Sequence, residues 1–369
     1  MTAIHILPAT LMRGGTSKGL FFRADRLPVA PALRESLLIR AIGSPDPYGS
    51  QIDGLGTGIS STSKVVLLSR SKRPGHDVDY LFGHVAIREA LIDWSGNCGN
   101  LTAAVPLFAL MEGLVARDDG PAEIRIWQAN IGKTIIAGLD VRDGQPCWTG
   151  DCAIDGVAFP AAPIRLRFLD PAGGGAGRLF PTGRAIDTLR LPDGRAIEAT
   201  LIDAGNPLVL IDAAALGLAG DETADRIDAA TQAALEHLRA AGSVAMGLAD
   251  SLEQASRQRP ATPKIAFLSR ARRPDCQLNA RILSMGRLHH AFTGTGAIGL
   301  AAAAALPDTL ASRLLDAPAT PLCFSHAAGS QTLRAVVSRS GSDWRIDEVV
   351  MTRTARPLMR GELFIPLDY

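Results

Sequence analysis

At residues 94–101 the chain reads WSGNCGNL, and an almost wholly apolar run, TAAVPLFALMEGL, follows at once. Cys98 has no metal-ligating neighbour, and none of the five cysteines, at 98, 147, 152, 276 and 323, forms a CxxC pair. The run after it predicts a helix buried on every side. The first N–H groups of a helix lack internal partners and carry partial positive charge, and glycine lets an anion approach them closely. A second turn of this kind, TGTG at 293–296, leads into AIGLAAAAAL in the other half of the chain. Two helix starts facing one cleft would hold two carboxylates of a small polyacid. Asn97 and Asn100 would add amide donors, and Thr293 and Thr295 hydroxyls. The same position favours thiolate at Cys98 and gives it acid–base or nucleophilic character. The competing readings are a small side chain filling a turn and two ordinary buried helices that resemble each other by coincidence. Pro106, inside the first helix, predicts a kink.

Other stretches carry weaker signals. MRGGTSKG, residues 12–19, fails as a phosphate loop because Lys18 is followed by Gly19. What remains is a glycine turn with Arg13, Thr16, Ser17 and Lys18, donors suited to carboxylates, or a plain surface turn. SSTSKVVLLS sets Lys64 between hydroxyls and an apolar strand. An amine there either snorkels to solvent or, partly buried, serves as a base near neutrality. GTGAIG, 294–299, fits GxGxxG, but GRLHHAF before it makes a poor strand and no βαβ unit follows, which disfavours a dinucleotide. His289 and His290 lack HxxxH or HExxH spacing, so no metal site is expected. QIDGLGTG, 51–58, could cover a pocket.

These residues need elements to hold them. With 369 residues, two domains are expected. A hydrophobic content of 47% indicates a folded protein. A net charge of +1 from 38 basic and 37 acidic residues argues against nucleic acid and charged membrane surfaces as partners. The N-terminus lacks a secretory pattern, no apolar run would span a bilayer, and reduced thiols in the cytoplasm are expected. Strands are predicted at KVVLLS, DVDYLFGHVAI, EIRIWQA, KTIIAGLDV, IEATLIDAG, PLVLIDA, PKIAFLS, LRAVVSRS and DEVVMTRTA. Helices are predicted at PALRESLLIRAIG, after Cys98, at DRIDAATQAALEHLRAAGSVAMG and at AIGLAAAAAL. The glycine-rich stretch 170–183 predicts the join. The simplest architecture is α+β with one central helix per half.

Several motifs together resemble a known family. NCGN, TGTGA and AGNP (204–207) are similar to the diaminopimelate epimerase-like fold. MRGGTSKG, IGSPDPYGSQIDG, SSTSK, DVDYLFG, DWSGNCGNLTAA, IRIWQANIGKTIIA and SMGRLHH, spanning residue 12 to about 305, resemble the 2-methylaconitate cis-trans isomerases of the methylcitrate cycle in propionate catabolism. The resemblance implies two similar domains, 1–180 and 181–369, each a curved, mostly antiparallel sheet around a central helix, with the active site between them. It implies Lys64 as base, flanked by Ser17 and Cys98. Substrate would be bound by Thr16, Lys18, Asn97, Gly99, Asn100, Ser284, Met285, Gly294, Thr295 and Gly296. Epimerases of this fold carry one thiol per half; here Thr293 stands where the second would be, which disfavours a two-thiol racemase. The implied reaction is an allylic proton shift in an unsaturated tricarboxylate, without metal or cofactor. The implied partner is an aconitase-like 2-methylcitrate dehydratase, and a homo-oligomer is compatible. The alternatives are a 4-oxalomesaconate tautomerase or methylitaconate-type isomerase, and an accessory protein to an iron–sulfur dehydratase.

Overall fold

The computed structural model describes residues 3–341 and 343–367. The fold is α+β, and its strands follow the alternation written in the sequence. In Lys64–Arg70, Val66 and Leu68 face one core while Val65 and Leu67 face another. In Lys264–Arg270, Ala266 and Leu268 face the first of these cores while Ile265 and Phe267 face a third. A strand with apolar residues at every position is buried on both faces, so each half has a helix inside its sheet and another outside. Pro31–Ile42 covers the outer face of the first half through Leu37, Leu38 and Ile42. Ala229–Ala245 covers the second through Leu235 and Leu238.

The first-half strands close into a ring. Ala3–Gly14 pairs with Ser17–Arg23, which runs parallel to Lys64–Arg70. Val78–Val85, Gly120–Gln128, Lys133–Arg142 and Pro163–Leu169 follow in order. The last strand, Asp343–Leu367, then pairs with both Pro163–Leu169 and Ala3–Gly14, and the circuit is complete. The second half repeats the central order: Ala196–Ala204, Asn206–Asp212, Lys264–Arg270, Leu278–Ser284, Leu322–His326 and Gly329–Ser340. Its last member pairs with the beginning of Asp343–Leu367, which joins the two sheets. Pairing is mostly antiparallel, with parallel contacts at equivalent places in each half.

The central helices lie as expected. Gly294–Ala305 is buried at every residue, and its small side chains let the surrounding strands approach closely. The helix after Cys98 differs from expectation in one detail. It divides into Gly99–Thr102 and Ala104–Met111, with the break at Ala103 rather than at Pro106. Pro106 has no N–H to bond the carbonyl one turn earlier, so the irregularity appears ahead of the proline. Residues 170–183 carry no helix or strand beyond an isolated bridge at Ala172.

Candidate active site

Ser17 and Lys64 each open a strand, and those two strands are parallel neighbours. Successive side chains alternate between faces, so Lys64 points inward with Val66 and Leu68. Its Nζ donates to Ser17 Oγ at 2.9 Å and lies 3.6 Å from Cys98 Sγ. The three groups assigned to catalysis therefore meet, and they are 5%, 3% and 7% exposed for Lys64, Ser17 and Cys98. Lys64 does not snorkel.

The two helix starts also meet. Cys98 Sγ accepts from Leu101 N–H at 3.5 Å, and Thr293 Oγ1 accepts from Gly296 N–H at 3.2 Å. A Cβ on Gly99 would stand 2.9 Å from the carbonyl carbon of Gly294, and one on Gly294 would stand 2.7 Å from Asn100 N. Only glycine permits that approach. Asn206, from AGNP, fastens the junction. Its Oδ1 accepts from Asn97 N–H at 2.8 Å, and its Nδ2 donates to the Asn97 carbonyl at 3.0 Å. Thr295 Oγ1 donates to that carbonyl at 3.4 Å.

Asn97 and Asn100 have different duties. Asn100 is a strut: its Nδ2 donates to Thr16 Oγ1 and the Phe292 carbonyl, and its Oδ1 accepts from Arg353 Nε at 3.1 Å. Asn97 leaves both side-chain polar atoms buried without a protein partner. His84 Nε2, Thr262 Oγ1 and His289 Nε2 share that condition. Buried polar groups are normally hydrogen-bonded, so this concentration near two amines marks a place for a polar ligand. His84 pairs in register with Lys64, and a Cβ on Gly96 would touch Thr262 Oγ1.

Lys264 is the second amine. Its strand points it inward with Ala266 and Leu268, and its Nζ donates to the Ala261 carbonyl at 3.0 Å and Ser284 Oγ at 3.5 Å. Burial, then the charge of Lys64, lowers its pKa from 10.5 to about 8. Burial first, then both lysine charges, hold His84 well below the usual histidine value. Burial, His290 and the same lysines do so for His289. Both imidazoles are thus neutral at neutral pH.

Two cavities flank this cluster. One, of about 370 Å³, is lined by Arg13, Thr16, Ser17, Lys18, Phe159 and Arg356. The other, of about 670 Å³, is lined by Ser284, Met285, His289 and, from the 51–58 stretch, Gly58. Both reach Ile59, Ser61 and His290. His289 and His290 stack on each other with ring centroids 4.6 Å apart. Among the described residues no group of three or more His, Cys, Asp or Glu is arranged to hold a metal. No helix among them is long and apolar enough to cross a membrane. Lys264, Asn206 and Arg353 were not anticipated as site residues. A signal for Lys264 exists: KVVLLSR and KIAFLSR open on lysines that occupy equivalent strands.

Comparison with known proteins identifies the family. The 2-methyl-aconitate isomerase of Cupriavidus necator is 44% identical, with 98% of each chain covered. That of Shewanella oneidensis is 45% identical, covering 97% of this chain and 96% of the relative. A crystal structure of a methylitaconate-delta-isomerase superposes with a TM-score of 0.77 at 34% identity, covering 98% of this chain and 96% of that one. The PrpF protein family matches residues 4–366. The chain belongs to the PrpF protein family, and it is an isomerase.

Proposed function

We propose that this isomerase interconverts the cis and trans forms of 2-methylaconitate or a closely similar unsaturated tricarboxylate, with Lys64 as the proton-transfer base. The supporting observation is the buried contact of Lys64 Nζ with Ser17 Oγ and Cys98 Sγ at the meeting point of both halves. Neutral Lys64 takes a proton from the carbon beside a carboxylate. The electron pair of that C–H bond spreads over the allyl unit into the carboxylate. Fixed N–H groups at the start of Gly294–Ala305, together with the free Asn97 amide, stabilise the negative charge. Rotation about the weakened double bond and return of the proton to its original carbon give the geometric isomer. Return at the far carbon would shift the double bond instead.

In this reading Thr16, Lys18, Ser284 and Met285 bind the remaining carboxylates and skeleton, with Gly99, Gly294, Thr295 and Gly296 forming the anion-facing backbone. Asn100 supports them from behind. The lobes are 1–180 and 181–369, the second lending its last strand to the first. The reaction needs no cofactor, runs in the cytoplasm, and exchanges its acid with an aconitase-like dehydratase.

The test is incubation of the purified protein in D2O with 2-methyl-cis-aconitate, aconitate, methylitaconate and oxalomesaconate, followed by proton NMR. Isomerisation of the first with deuterium entering beside the carboxylate is expected, and dialysis against a chelator should leave the rate unchanged. Lys64→Met should lower turnover about a thousandfold, while Cys98→Ser, which keeps the backbone donors, should cost about tenfold. Lys64→Met retaining more than a tenth of the activity would remove Lys64 as the base. Preference for methylitaconate or oxalomesaconate would transfer the chain to that reaction.

A further inference from the structure

The two halves place a lysine at the same point of the same motif. Lys64–Arg70 runs parallel to Ser17–Arg23 and antiparallel to Val78–Val85, whose partner on the other side is parallel. Lys264–Arg270 runs parallel to Asn206–Asp212 and antiparallel to Leu278–Ser284, whose further partner is again parallel. Both lysines begin their strands and both point inward. The pseudo-symmetry that brings Gly99 against Gly294 therefore also brings two buried amines within electrostatic reach of each other.

The Ala261 carbonyl and Ser284 Oγ hold the Lys264 amine, but neither carries a charge to balance it. Lys264 is 7% exposed, and among the described residues neither it nor Lys64 has an ion-pair partner. The groups that face it are Lys64, Cys98 and Asp93 from the first half and Arg239 from the outer helix, with His84 and His289 near both amines. Asp93, whose charge reaches Lys264, accepts from Ser95 and from Ala261 N–H and makes no hydrogen bond to the amine. Arg239 is neutralised by Glu236. Two buried amines without an ion pair, among unpartnered amide, hydroxyl and imidazole atoms, suit a bound anion.

We infer that Lys264 is a catalytic residue of the same reaction: its ammonium receives a carboxylate of the substrate from the second half. The inference rests on the reaction proposed above. Burial and the charge of Lys64 disfavour the charged form of Lys264, and a bound carboxylate would offset both.

Three variants, Lys264→Met, Lys264→Gln and Lys264→Arg, test this with two readouts. Binding of tricarballylate, a saturated tricarboxylate that cannot isomerise, is followed by calorimetry and needs no turnover. Met and Gln should weaken it about tenfold or more, as loss of a charge-assisted contact does, and Arg should restore most of it. In turnover, Met should raise KM about tenfold, and Arg should bring it most of the way back. Binding and KM both unchanged, or activity lost with neither moved, would overturn the inference and leave Lys264 a packing residue. If wild type binds tricarballylate in a Lys264-dependent way but isomerises none of the acids, the substrate assignment falls and the carboxylate contact stands. Failure of wild type to bind it would overturn both.

Discussion

Lys264 and its histidine neighbours make the protein's stability depend on pH in a direction that can be worked out. Lys264 titrates at about 8 in the native state against 10.5 unperturbed. Between those values the unfolded chain binds more protons than the native one, so stability rises with pH across that window. Below about pH 8 the full cost of burying the ammonium is present, on the order of 3 kcal/mol at 1.36 kcal/mol per pKa unit. His84 and His289 act at the other end. Both are held below 6.5 by burial and nearby lysines. As pH falls through that value the unfolded chain takes up protons that the native site refuses, and stability falls. Urea denaturation of Lys264→Met should therefore show higher stability than wild type at pH 7, and the rise between pH 8 and 10.5 should be flattened. A variant less stable than wild type at pH 7 would show that the amine contributes to the fold rather than burdening it for the ligand's sake.

The helix starts depend on glycine because backbone meets backbone, not because the chain needs an unusual dihedral there. A methyl group on Gly99 would lie 2.9 Å from Gly294 and 3.0 Å from Thr295 N. Gly99→Ala should therefore push the halves apart, destabilising by about 1–3 kcal/mol and lowering kcat about a hundredfold through misplacement of reacting groups. Thr293→Val, which removes only the cap on Gly296 N–H, should cost about 1 kcal/mol with a far smaller effect on rate. Equal effects of the two on turnover would show that the close approach is not what matters. Much of this was readable beforehand, since both turns announce themselves by glycine followed by an all-apolar run, and strand alternation is local information. Lys264 is hidden in its own segment because PKIAFLS reads as ordinary core, and it stands out only when aligned with KVVLLSR. The break at Ala103 and the cross-ties from Asn206 depend on which backbone groups meet in space, and no local pattern encodes that.

The ring of the first half is closed by residues from the far end of the chain. Asp343–Leu367 lies between Pro163–Leu169 and Ala3–Gly14, and it carries Arg353, whose Nε supports Asn100. A pairing between residue 3 and residue 367 has no signature in either segment, so the sequence could suggest two halves but not that one completes the other. Closing so long a loop is entropically expensive and must be matched by the ladders it forms. A consequence is that the first half cannot stand by itself. Without the last strand, Ala3–Gly14 and Pro163–Leu169 become open edges, and the apolar helix Ala104–Met111, which packs against that strand, loses its cover. Residues 170–183, by contrast, contribute no strand or helix. Expressed alone, a fragment of residues 1–176 should aggregate, as judged by size-exclusion chromatography. Co-expressed with residues 177–369 it should co-purify as one complex with measurable isomerase turnover, because the break falls where no ladder is cut. A soluble, cooperatively unfolding 1–176 fragment would show that the ring is not what holds the first half together.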